Sequence, residues 1–418
     1  MMRILRLTSK VEKALLRARQ GRDGEAQRVA ARIVGDVRRG GDAALLQWTK
    51  KLDGIDLKRE GIWISQREIR AAEKQVSASF LSAVRQAALN IRRVAEKQLP
   101  QEWKIEVQPG VHIRQLVQPI ESIGCYVPGG RFALVSTLLM TVVPAQVAAV
   151  DRIIAVCPKP NLELLAAANL LGIRELARIG GAQAIAALAY GTPSVPRAEK
   201  IFGPGNRFVT AAKQIVSHDC AIDLPAGPTE AVVLAERGNP RWIAADLLAQ
   251  AEHAPDAGSF LVTTSKNLAQ QVAEEIKAQL RALPATNPAH VSLARSGAIL
   301  IAASPKSACE FVNRFAPEHL SVPEGGNSLL QKIRASGTIF LGPWAAQPLG
   351  DYVSGSNHVL PTGGWARRRG GLSAADFVKC ITVQEIDRRG FLRLAGAAEC
   401  MAVAENLPAH RNAVSVRR

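Results

Sequence analysis

Between Ile123 and Ile301 short apolar runs alternate with longer stretches of helical spacing, and no other feature constrains the fold as much. Arg152–Val156, Glu175–Ile179, Ala231–Leu234, Ser259–Thr264 and Gly297–Ile301 read as strands, while Ser136–Val150, Leu162–Leu171, Pro240–His253 and Leu268–Leu283 read as helices. A helix between consecutive strands carries the chain back along the sheet, so the strands run parallel. The chain is therefore of the α/β class. It holds two such units, with the segment from about Pro119 to Pro228 inserted within the other. Apolar residues at three- and four-residue spacing predict amphipathic helices from Gly24 to Leu52 and from Gln66 to Leu99. Gly61–Ser65 and His112–Ile120 read as strands, Lys306–Phe315 and Gly390–Glu405 as helices, and the basic end of the chain as a fraying tail.

Composition excludes several classes. At 418 residues and 47% hydrophobic content the chain can bury two or three cores. It contains no apolar run long enough to span a bilayer and no secretory pattern at its start, which predicts a cytoplasmic protein without membrane contact. Six scattered cysteines without a C-x-x-C pair argue against a disulfide framework or a thiolate zinc site. The net charge of +17 raises a nucleic-acid partner, yet the basic residues are dispersed, Arg367-Arg-Arg369 is the one run of three, and no nucleic-acid module is present. No nucleic-acid partner is expected. The pair Arg388-Arg389 resembles an export address, but such addresses stand at the amino terminus.

Candidate chemistry lies in seven places. Gln250 and His253, three apart on one helix, share a face and can converge on a metal ion or simply end a polar helix. Before them Ala226-Gly-Pro-Thr-Glu230 makes a tight turn that exposes backbone and the Thr229 hydroxyl. Glu318 and His319 follow a helix and form either an acid/base pair or surface decoration. Gly350–Gly364 is a long polar loop in which Asp351 is a candidate oxygen ligand and His358 a loop-locking hydrogen-bond donor. The glycine-rich junctions at Gly180-Gly-Ala-Gln183 and Gly203-Pro-Gly-Asn206 fit helix starts that receive anionic groups or plain structural turns, and the Pro-Gly-Gly turn after Tyr126 lets a ligand approach the backbone closely.

Taken in order, YVPGG, GGAQAIAALAYGT, GPGN, IDLPAGPTE, DLLAQAEH, APEHL, GDYVSGSNHVLPT and AENLPAH resemble the histidinol dehydrogenase family from about Gly24 onward. The resemblance implies two Rossmann-like α/β domains, one inserted in the other: residues 24–118 with 229–375, and an inserted cofactor-side domain at 119–228. Small helical extensions at 1–23 and 376–418 complete it, the latter as a dimerisation tail. It also implies a zinc-dependent, NAD-linked oxidation of L-histidinol through L-histidinal to L-histidine in histidine biosynthesis. By the same resemblance Gln250, His253, Asp351 and His410 are zinc ligands, and Glu318 and His319 are the catalytic acid/base pair. Tyr126, Gln183 and Asn206 contact NAD; Thr229, His319 and Glu405 contact substrate alongside the ligands. Members are homodimers in which the carboxy-terminal histidine crosses to the partner, so His410 and Glu405 are expected to act across the interface.

The chain departs from the family where Thr229 replaces the usual serine and where Leu134-Val135 replaces Tyr-Pro. Thr229 keeps the hydroxyl but stiffens χ1. These departures leave open a paralogue that oxidises another polar alcohol with the same machinery. A zinc hydrolase built on Glu318 and a basic nucleic-acid binder are the readings of other classes, and neither explains the ordered motifs.

Overall fold

Fourteen strands form three sheets in the computed structural model, which describes residues 2–19, 23–129, 133–224, 227–324 and 327–418. Gly130 of the Pro-Gly-Gly turn and Pro225 and Ala226 of the turn before Thr229 lie outside the described residues. In chain order the strands are β1 (Arg3–Arg6), β2 (Trp103–Gln108), β3 (Val111–Pro119), β4 (Ser122–Tyr126), β5 (Arg152–Val156), β6 (Glu175–Ala177), β7 (Lys200–Phe202) and β8 (Ala221–Ile222). They continue as β9 (Glu230–Leu234), β10 (Gly258–Thr263), β11 (Gly297–Ile301), β12 (His319–Val322), β13 (Thr338–Leu341) and β14 (Val378–Ile386).

The larger sheet has six strands in the order β1-β11-β10-β9-β12-β13, and the smaller has five in the order β6-β5-β4-β7-β8. Every pairing in both is parallel, as the alternation of strands and helices demands. β9 and β10 are buried along their whole length, which explains the apolar runs Ala231–Leu234 and Phe260–Val262 within them. The connecting helices start where short polar side chains stop the strand pattern: Asn161, Asn206, Asn239, Ser265 and Ser304 each accept a first-turn backbone N–H.

Four features differ from the sequence reading. The amino-terminal segment is more than a helical extension, because β1 pairs with β11 and completes the larger sheet. The helices over residues 24–98, grouped above with the unit of residues 229–375, bury their apolar faces against the smaller sheet instead: Ile33, Val37 and Leu45 share a core with Ile185 and Ile201, and Ile69, Val84 and Ile91 another with Leu138 and Leu176. Amphipathic spacing shows which face is buried but not what buries it. Gly61–Ser65 forms only a single bridge from Trp63 to Ala177. The end of the chain is a helix, Pro408–Ser415, packed on the helix Arg388–Ala404. A third sheet, β14-β3-β2, is antiparallel and joins the carboxy-terminal segment to the strand before the insertion. No helix among the described residues is long and apolar enough to cross a membrane.

Candidate active site

The amino edge of the larger sheet gathers most of the candidate residues. Thr229 immediately precedes β9 and Glu318 immediately precedes β12, and these neighbouring strands run parallel with His319 opposite Ala231. The helix Pro240–Ala251 lies between the parallel strands β9 and β10, so it runs back and delivers its last turn to the same edge. Gln250 belongs to that turn and is fully buried. A short helix, Gln347–Tyr352, packs on Pro240–Ala251 and carries Gln347 and Asp351, four residues apart and therefore on one face.

Hydrogen bonds link these side chains in one direction. Gln347 Nε2 donates to Gln250 Oε1 at 2.6 Å, Gln250 Nε2 to Thr229 Oγ1 at 2.8 Å, and Thr229 Oγ1 to Glu318 Oε2 at 2.5 Å. The backbone N–H of Glu230 adds a second donor to the same carboxylate oxygen at 2.9 Å. Glu318 is thereby held by two donors.

His319 is buried, with Nδ1 3.7 Å from Glu318 and Nε2 3.6 Å from Asp351. Both separations exceed a hydrogen bond, and both ring nitrogens lack a partner. Two unsatisfied nitrogens on a buried ring are costly unless a reacting molecule uses them. Burial opposes the charged imidazole, but Glu318 and Asp351 outweigh it and raise its pKa above the ordinary value. Burial likewise opposes the Asp351 carboxylate, which His319, His358 and His253 nevertheless hold below the usual range. His253 is exposed just beyond the end of the helix Pro240–Ala251, which the sequence reading carried through it. His358 locks the polar loop as expected: Nδ1 lies 2.9 Å from the Asp351 carbonyl and Nε2 3.3 Å from Thr137 Oγ1.

Two contributors, Gln347 and Arg19, carried no sequence motif. Gln347 had one usable signal, its four-residue separation from Asp351. Arg19 donates to the Glu230 carboxylate and to the Phe315 carbonyl while its guanidinium stacks 3.6 Å over the Phe315 ring. It so ties the end of the helix Ser9–Ala18 to the start of β9 and to the end of the helix Pro305–Phe315 that leads into Glu318 and His319. Burial pushes Glu230 up to about 7 despite Arg19.

The second group of candidates lies at the carboxyl edge of the smaller sheet. Tyr126 ends β4, and the Gly203–Asn206 turn follows β7; strand order reverses between these two neighbours, the place where parallel sheets open a ligand crevice. Gly203 has φ 111°, and a Cβ there would meet the Tyr126 carbonyl oxygen at 2.1 Å, so the turn needs glycine. Asn206 Oδ1 accepts from the N–H groups of Phe208 and Val209. Tyr126 accepts from Gly181 N–H at 3.2 Å. Gln183 is fully buried; its Nε2 donates to Asp53 at 2.8 Å, and its Oε1 has no partner.

Glu405 and His410 stand apart from both groups. They are exposed on the carboxy-terminal helical segment and make no hydrogen bond or ion pair with the other candidates among the described residues. Accordingly no set of three His, Cys, Asp or Glu side chains gathers as a metal cluster among the described residues.

The histidinol dehydrogenase family model matches residues 16–418. A histidinol dehydrogenase of Vibrio parahaemolyticus is 46% identical over 393 residues, covering 93% of this chain and 90% of its own length. That of Methanothermobacter thermautotrophicus is 44% identical over 396 residues, covering 93% and 92%. The crystal structure of histidinol dehydrogenase from Elizabethkingia anophelis superposes with a TM-score of 0.94 at 39% identity, over 100% of this chain and 98% of that one. By sequence, family model and fold together, the chain belongs to the histidinol dehydrogenase family of oxidoreductases.

Proposed function

We propose that the protein oxidises L-histidinol through L-histidinal to L-histidine with NAD, and that its site holds zinc. The observation that carries this reading is the buried, unpartnered His319 ring beside the doubly donated Glu318 carboxylate. A proton acceptor and a second base stand side by side, as a two-stage oxidation requires. His319 takes the alcohol proton in the first stage, and Glu318 deprotonates the water that hydrates the aldehyde before the second. The Thr229 hydroxyl orients Glu318, and Asp351 faces the His319 imidazole that becomes charged.

Gln250, His253 and Asp351 offer the oxygen and imidazole donors that zinc accepts. His410 of the partner subunit would complete the set, with Glu405 beside it on substrate. Zinc, when bound, would supply a fixed charge that holds the substrate's polar groups and orients the carbinol carbon. On the cofactor side, Gln183 Oε1 and the start of the helix Gly181–Tyr190, whose cap residue Gly180 offers no side chain and whose Gly181 N–H alone is taken by Tyr126, supply acceptor and donor groups for NAD beside Tyr126 and Asn206.

A homodimer is favoured by the apolar surface left open on the third sheet and the final helices, where Trp103, Ile105, Val107, Ile381, Met401 and Val403 are exposed. All six cysteines are free, which suits the reducing cytoplasm. Zinc-loaded protein should convert L-histidinol and NAD to L-histidine, lose the activity on chelation and regain it with zinc. Turnover of other polar alcohols but not L-histidinol would move the protein to a paralogous activity.

A further inference from the structure

We propose that Gln347 is a positioning residue that sets which way round the Gln250 amide stands, and through it the direction of the hydrogen-bond chain ending on Glu318. The proposal rests on the reading of Gln250 as a metal ligand. Gln347 and Gln250 are both buried, at 1% and 0% exposure, so neither amide has water as an alternative partner. In such surroundings an amide's two ends are not interchangeable, because each must meet its complement.

The order of donors fixes the arrangement. Gln347 gives an N–H to Gln250 Oε1, which commits Gln250 Nε2 to Thr229 Oγ1; that oxygen, already accepting, spends its single proton on Glu318. Were the Gln250 amide reversed while Gln347 keeps its orientation, its NH2 would confront the Gln347 NH2, and Thr229 would donate to Gln250 Oε1 instead of to Glu318. The Glu318 oxygen would then keep only the Glu230 N–H. The same orientation turns Gln250 Oε1 toward the helix that carries Asp351. Its second lone pair is the donor a cation between Gln250 and Asp351 would require. Gln347 thus acts on the metal side and on the base side at once, through its one hydrogen bond to Gln250.

The test compares the full-length protein with Gln347→Met, which keeps the side-chain length, and Gln347→Leu, each with Thr229 and with Thr229→Val. Zinc affinity is read by competition with a chromophoric chelator, Tm by thermal unfolding, and kcat and KM with L-histidinol. Expected is a zinc affinity weaker by about 10- to 100-fold at near-parental Tm. The kcat loss should shrink clearly in the Thr229→Val background, where the chain is already cut. Parental zinc affinity in Gln347→Met, a loss confined to a variant that also melts several degrees lower, or kcat losses that simply add would each overturn the proposal. A parent that binds no zinc would instead end the metal reading itself, a result distinct from a parent and variants that bind it equally.

Discussion

The two parallel sheets carry their candidate residues on opposite edges and present different chemistry there. At the amino edge of the larger sheet the groups are side chains, the buried Glu318, His319 and Gln250 with the half-buried Thr229 and Asp351, joined by hydrogen bonds or short ionic contacts. At the carboxyl edge of the smaller sheet the backbone dominates, with a glycine turn pressed on the Tyr126 carbonyl and helix starts capped by Asn206 or left open. Proton transfer needs titratable groups in a tuned, low-dielectric place, whereas a phosphate-bearing cofactor needs N–H groups and close approach. In the proposed function, one fold class serves two tasks by the edge it uses.

That contrast can be broken most sharply at the amino edge. Glu318→Gln keeps the size of the side chain but removes the base, and kcat for the overall oxidation should fall by about 10²–10⁴, with zinc affinity little changed. A rate equal to the parent's would remove Glu318 from the chemistry.

A further division concerns what one chain lacks. His410→Ala and Glu318→Gln homodimers should each be nearly inactive, yet their co-expression should recover about a quarter of the parental activity. Half of randomly paired dimers are mixed, and each mixed dimer has one intact site if His410 crosses to its partner. No recovery would place His410 in its own chain's site or outside it.

At the carboxyl edge the effect should be smaller and confined to the cofactor. Gly203→Ala introduces a methyl against Tyr126 O and should raise KM for NAD roughly tenfold, with KM for L-histidinol near the parental value. A matching rise in both would deny the separation of the two edges.

Much of this was legible in the sequence. Gln250 and His253 are picked out by their three-residue spacing, although the helix stops at Ala251 and leaves His253 exposed beyond its end, and the strands β9 to β11 include apolar runs set between helices. Gln347 was not legible, because a lone glutamine carries no chemical signature until its amide is seen against Gln250. Neither was the four-residue strand β1, too short for a period, nor the docking of the helices over residues 24–98 on the smaller sheet. Those depend on long-range contacts, which periodicity does not encode. The exposed His410 is a different case: nothing within a single chain gives it a role, and only the family resemblance singled it out.

The most direct test of the account is the number of NADH formed per L-histidinol consumed by the zinc-loaded parent protein. A buried imidazole and a separately held carboxylate at one edge predict two, with L-histidine as the product and no aldehyde released. A ratio of one, with L-histidinal accumulating, would contradict the role given to Glu318 and with it the claim that this edge carries out both oxidations.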